Sequence, residues 1–278
     1  MKIALCVSGH LRDCDRTSLS FHSFRKRLND FAETETFVST WNKRNISRSW
    51  SGNKGIINNE TKDEHITEEY VKETYETNDV SIFDQGFYNS EFSPFNYRDL
   101  TDKINNWHPH GVSGNVIHSS NMFFIMWQSN VLKKTKEFKN GQKYDLVIRV
   151  RPDFEFYTNV SLDIIKNHEK NILYIPKHLM FDEGGQVDLK INDWVAFGDS
   201  DIMNKYFSSF LKFSAIFNQN VWGPPEEVMY RTHEDFFAIE KKEFDMIGAL
   251  SRDFGNIRLF QREPLDAQKQ GVDISSFE

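Results

Sequence analysis

The segment Arg149-Val150-Arg151-Pro152-Asp153-Phe154-Glu155 brings two arginines and two carboxylates to the end of the clearest strand-like run of the chain, Tyr144 to Val150. Arg149 and Arg151 alternate onto one side of an extended chain, where their guanidiniums can hold phosphate or pair with local acids. Asp153 and Glu155 point to opposite sides while the chain stays extended. A turn at the strand end can bring both toward one ion. A hard divalent cation, Mg²⁺ or Mn²⁺, is typically held by one or two carboxylates together with substrate phosphates. The plainer alternative is a strand exit with solvated charges and an Arg–Asp ion pair. The two differ in cost: Asp153→Ala loses little folding energy if the acids face a solvent-filled site, and much if they are structural partners.

Three further segments can do chemistry. Thr232-His233-Glu234-Asp235 places Glu234 and Asp235 at a helix start, where one carboxylate can take a proton from an acceptor hydroxyl. Thr232 and Asp235 also fit a capping box. Ser8-Gly9-His10-Leu11-Arg12 follows the first strand. Gly9 permits close backbone approach to a ligand and Arg12 can reach a phosphate, yet neither a P-loop nor a G-x-G-x-x-G fingerprint is present. Asn192-Asp193-Trp194 offers hydrogen-bonding groups and a ring for a sugar, or simply a turn and a core residue. Gly184-Gly185 nearby suits a loop over a ligand. His108 and His110 have no other metal-ligand types in register and read as loop residues.

These groups need a scaffold. Lys2 to Ser8 is continuously apolar and reads as a strand buried on both faces. A helix is expected over 16–29 and a strand over 36–41, the start of a parallel α/β sheet. Residues 42–62 are polar and aperiodic. A helix over 64–75 and a strand over 80–83 follow, and 86–114 is irregular. Ser119 or Ser120 can cap a long helix to 138. Strands are expected at 144–150, 172–175, 194–197 and 256–260. Helices are expected over 200–213, from Pro224-Pro225-Glu226-Glu227 and from about Thr232. No linker divides the chain. The expectation is a single α/β domain over 1–278, with a Rossmann-like, mostly parallel sheet flanked by helices and a variable insertion at about 42–118.

Composition narrows the classes. The 278 residues carry a formal net charge of −7, which argues against general nucleic-acid binding and against an anionic membrane surface. Six Trp, nine Tyr and 25 Phe are ample for a large core. The two cysteines, Cys6 and Cys14, make no disulfide framework or CxxC pair. The apolar stretch at the start ends at Val7, too short for a signal peptide, and no run reaches the ~18 residues of a membrane span. The expectation is a soluble cytoplasmic protein, in the host cytoplasm if it is viral.

The order of the segments is more specific than any one of them. KIALCVSGHLR followed by FVSTW, and YDLVIRVRPDFEF followed by INDWVAFGDSDIMNKY, resemble nucleotide-sugar-dependent glycosyltransferases of the GT-A fold, of the kind found in bacterial surface-polysaccharide clusters and large DNA viruses. The resemblance spans residues 2 to about 245 and covers 42–118 poorly. It implies that Asp153 and Glu155 stand at the D-x-D motif, which holds Mn²⁺ or Mg²⁺ on the donor diphosphate. It puts Asp235 at the position of the catalytic base of inverting members, with Glu234 beside it, and Gly223 in a loop near the donor. Ser8, Gly9 and Arg12 would meet the nucleotide, Arg149 and Arg151 the diphosphate. Asn192, Asp193 and Trp194 would meet the acceptor. Two departures stand out: the second motif acid is Glu155 rather than Asp, and no histidine follows His233 to complete a metal site. The implied partners are a nucleotide-diphosphate sugar, a UDP-sugar first, and a glycan acceptor. A nucleotidyltransferase and a non-catalytic carbohydrate-binding protein are the competing classes.

Overall fold

The computed structural model describes residues 1–12, 14–44, 65–92, 113–156, 162–176, 179–182, 185–188, 193–218, 229, 232–244, 248–251 and 257–259. The first strand, β1 (Lys2–Ser8), is followed by helix α1 (Cys14–Asn29), β2 (Glu33–Trp41), α2 (Glu68–Tyr75) and β3 (Asp79–Phe83). A long helix, α3 (Ser113–Asn140), leads to β4 (Leu146–Val150) and β5 (Phe154–Phe156). Then come α4 (Leu162–Lys166), β6 (Ile172–Pro176), β7 (Leu179–Asp182), β8 (Gly185–Asp188) and β9 (Val195–Gly198). Helices α5 (Ser200–Phe207) and α6 (Ser209–Asn218) and strands β10 (Glu240–Phe244), β11 (Gly248–Ser251) and β12 (Ile257–Leu259) follow, and short helical turns at Gln85–Phe87, Tyr88–Phe92 and Thr232–Phe237 complete the described elements.

Seven strands form one sheet in the order β10-β6-β9-β4-β1-β2-β3. The pairs β1/β2, β1/β4, β2/β3 and β6/β10 are parallel, whereas β9 runs antiparallel to both its neighbours. This is the mixed, mostly parallel sheet that the sequence suggests. β1 is apolar at nearly every position because helices cover both faces. Ile3, Leu5 and Val7 join Val38, Ile148 and Val150 against Phe21, Phe24 and Leu28 of α1 and Val71 and Tyr75 of α2. Ala4 and Cys6 join Phe37, Val147 and Ala196 against Phe123 and Met126 of α3 and Met203, Tyr206 and Phe207 of α5. The period-two alternation of the strands thus separates two cores.

The path of the chain has one reversal that matters. From β1 it winds outward through β2 to β3, and α3 then returns it to the other side of β1, where β4 pairs. The carboxyl ends of β1 and β4 therefore flank a topological switch point, the place where open α/β sheets bind ligands.

Several expected boundaries move. Helix α3 starts at Ser113, so Ser119 and Ser120 lie within it as buried residues, not as caps. The single helix expected over 200–213 is two. The Ser208 hydroxyl donates to the Asn204 carbonyl at 2.6 Å, a local bond that competes with helix continuation. The helix expected near Thr232 is a π-helical turn, Thr232–Phe237. Strand β3, inside the stretch read as an insertion, is the edge strand of the main sheet. The helix start at 224–227 lies outside the described residues.

Candidate functional site

The site is built on a turn. β4 ends at Val150, and Phe154 N donates to the Arg151 carbonyl at 3.2 Å. This closes a four-residue turn with Pro152 at its second position, where a fixed φ suits it. The chain leaves through β5, which joins a different sheet, β12-β11-β5. Two neighbours press on the turn. The Thr17 hydroxyl of α1 donates to the Pro152 carbonyl at 2.5 Å. Gly9, just past β1, has φ +145°, and a Cβ there would lie 2.9 Å from Pro152 Cδ. Gly9 is therefore required twice, by its backbone conformation and by contact.

The turn buries charge. Asp153 is 2% exposed. Its Oδ1 accepts from Arg151 Nε at 2.9 Å, and its Oδ2 accepts from Arg151 Nη2 at 2.9 Å and Arg12 Nη1 at 3.1 Å. Arg151 also reaches Asp193 Oδ2 at 2.8 Å through Nη1. Burial opposes the charge on Arg151, but Asp153 and Asp193 outweigh it and hold its pKa above the usual arginine value. Glu155 turns elsewhere and pairs with Arg16 of α1 at 3.1 Å.

Arg149 is held less completely. It is 1% exposed, and its Nε and Nη2 donate to the hydroxyl and carbonyl of Ser8, each at 3.4 Å. Its Nη1 is buried and meets no hydrogen-bond acceptor among the described residues. Burial pulls its pKa below the usual arginine range, against the attraction of Tyr206 and Asp193. The Tyr206 hydroxyl and Asp193 Oδ1 are likewise buried without a partner among the described residues. An arginine with an unused buried donor is a ready anion site.

Ser8, Gly9, Arg12, Arg149, Arg151, Asp153 and Asp193, far apart in sequence, thus meet at the switch point. Trp194 does not offer a ring to a sugar. It is 4% exposed, belongs to the core and lies against Phe154 with ring centroids 6.0 Å apart. Gly223 and Asn192 lie outside the described residues. Glu234 and Asp235 fall in the π-helical turn, and their side chains are outside the description. Arg16 and Tyr206 were not singled out by sequence.

The residues do not fit a divalent cation as they stand. Both oxygens of Asp153 accept arginine N–H groups, and Glu155 is directed to Arg16. Among the described residues no group of three or more His, Cys, Asp or Glu is set to hold an ion.

No protein-family model matches the sequence, and no curated protein matches it. Solved structures do resemble the chain. One is a glycosyltransferase involved in glycosylating the major capsid of PBCV-1, at 9% identity and TM-score 0.40, covering 88% of this chain and 83% of that one. Another is the galactosyltransferase LgtC in complex with donor and acceptor sugar analogues, at 10% identity and TM-score 0.39, covering 84% and 70%. A third is mouse xyloside xylosyltransferase 1, at 10% identity and TM-score 0.39, covering 88% and 84%. At that distance they assign no activity to this chain. Among the described residues no helix is long and apolar enough to cross a membrane.

Proposed function

We propose that this chain is a glycosyltransferase of the GT-A kind, moving a sugar from a nucleotide-diphosphate sugar to a hydroxyl of a glycan acceptor. One observation carries the reading: Arg12, Arg149 and Arg151 converge at the carboxyl ends of β1 and β4, and Arg149 Nη1 is a buried donor with no acceptor among the described residues. Guanidinium forks match phosphate oxygens in shape and charge.

In this reading the nucleotide lies over the β1 carboxyl end, at Ser8, Gly9 and Arg12. Gly223 lies near the donor. Arg149 and Arg151 face the diphosphate and stabilise the charge that grows on it as the sugar leaves. Asn192 is left to meet the acceptor, since Asp193 is buried against Arg151. Asp235, with Glu234 beside it, takes the proton of the attacking hydroxyl, and attack from the face opposite the leaving group inverts the anomeric centre.

The test is release of nucleoside diphosphate from UDP-, GDP- and dTDP-sugars, with oligosaccharide acceptors. The expected result is acceptor-stimulated release from one donor class, UDP first. Asp235→Asn should slow it by about 10²–10⁴-fold while donor affinity holds. Pyrophosphate release from a nucleoside triphosphate would instead make the chain a nucleotidyltransferase. Glycan binding without any nucleotide binding would make it a carbohydrate-binding protein.

A further inference from the structure

We infer that this chain binds the diphosphate of its donor through arginines and without a divalent cation, with Asp153 acting as a positioning residue for Arg12 and Arg151 and not as a metal ligand. The nucleoside part of the inference rests on the transferase reading above. The anion site itself rests on the residues.

Three observations support it. First, Asp153 spends both oxygens on guanidinium groups: two bonds from Arg151 and one from Arg12. A cation would have to displace three charge-assisted hydrogen bonds from largely buried arginines, at a steep cost. Second, Glu155 is drawn to Arg16, away from the arginines that hold Asp153. The two acids of the D-x-E pattern thus serve different arginines. Third, among the described residues the site holds four arginines and three carboxylates. Arg12, Arg16 and Arg151 pair with Asp153, Glu155 and Asp193, whereas Arg149 bonds to Ser8. The surplus sits on Arg149, whose Nη1 is buried with no acceptor among the described residues. A phosphate oxygen supplies both the missing acceptor and the missing charge.

Asp153 then has a specific task. The fork of Arg151 is locked by two bonds to Asp153 and a third to Asp193, and Arg12 is tied to the same carboxylate. Guanidiniums fixed before the ligand arrives lose less freedom on binding.

Calorimetric titration of the purified full chain tests this. The probes are inorganic pyrophosphate, UDP, GDP and dTDP, each in EDTA and in saturating Mn²⁺. The expected result is binding in EDTA within about twofold of that in Mn²⁺, weakened about tenfold or more by Arg149→Gln and by Arg12→Gln. Asp153→Asn separates the roles. A positioning residue predicts weaker binding in EDTA. A metal ligand predicts unchanged binding in EDTA and loss of the Mn²⁺ enhancement. A mere like charge near the anion predicts tighter binding. Arg12 lies at the rim, with its side chain 14% exposed, so Arg12→Gln remains informative if Asp153→Asn fails to fold. Binding only with Mn²⁺ overturns the inference. Pyrophosphate binding in EDTA with no nucleotide bound would keep the arginine site and remove the transferase. No binding of any probe would remove both.

Discussion

Arg151 and Asp153, two positions apart in the chain, form a two-point ion pair at 2.9 Å through both guanidinium edge nitrogens and both carboxylate oxygens. Pro152 between them makes the turn that folds one back on the other. The pair is buried, so its value differs from that of a surface ion pair. Asp153→Ala removes two of the bonds that hold Arg151 and one that holds Arg12. We expect a loss of about 3 kcal/mol in urea unfolding, in line with other broken buried pairs. Of the two alternatives the sequence left open, the buried bonds favour the structural partner.

Gly9→Ala is expected to lose about 2 kcal/mol or more, since it must adopt φ +145° and also push Pro152 away. Gly141→Ala is the control. Its φ is +63° with nothing within 4 Å of the added Cβ, so only the backbone cost of about 1–2 kcal/mol applies. Urea midpoints of the two variants measure the difference.

His233 gives a pH dependence. It is fully buried, near Ser209 Oγ at 3.3 Å, and burial pushes its pKa from 6.5 down to about 3. Between those values the unfolded chain binds a proton that the folded chain does not. Stability is therefore undiminished above pH 6.5 and falls as the pH drops toward 3. One proton gives a slope of up to about 1.4 kcal/mol per pH unit. Urea unfolding between pH 6.5 and 5, above most carboxylate titration, should show this slope in the wild type and lose it in His233→Asn.

The link between α3 and α5 is a second buried charge network. Lys133 Nζ donates to Glu137 at 3.0 Å, Ser200 Oγ at 2.6 Å and Asn204 Oδ1 at 3.1 Å, which uses all three of its protons. Glu137 also accepts from Ser200 Oγ at 2.6 Å and Tyr144 N at 3.0 Å. Glu137→Ala should cost about 3–5 kcal/mol, because it strands a buried ammonium. The double variant Lys133→Met/Glu137→Leu should cost less than Glu137→Ala alone. A double-mutant cycle by thermal unfolding reads the coupling.

The order of the elements was legible because its signals are local. β1 and β4 are short, mostly apolar runs, and the helices between them keep an apolar face. Boundaries slipped where a local competitor acts. Ser208 breaks a continuous apolar stripe into two helices with one side-chain bond. Arg149, Arg151, Arg12 and Asp153 were identifiable by type and by their place after strands. Their pairing was not, because it depends on the turn at Pro152 and on α1 carrying Arg16 to Glu155. Trp194 shows the limit from the other side: the residue type suits sugar stacking, and its burial in the core, shown by the fold, decides against it.

The pairing of β1 with β4 has a consequence for synthesis. Ile3 waits for Leu146, and the Lys2 backbone N–H for Asp145, 143 positions later. At a ribosomal rate of about 5–20 residues per second, one edge of the apolar first strand stays open for roughly 7–30 s after it emerges. The strand that anchors the finished site is thus the one most exposed to mispairing while the chain is being made.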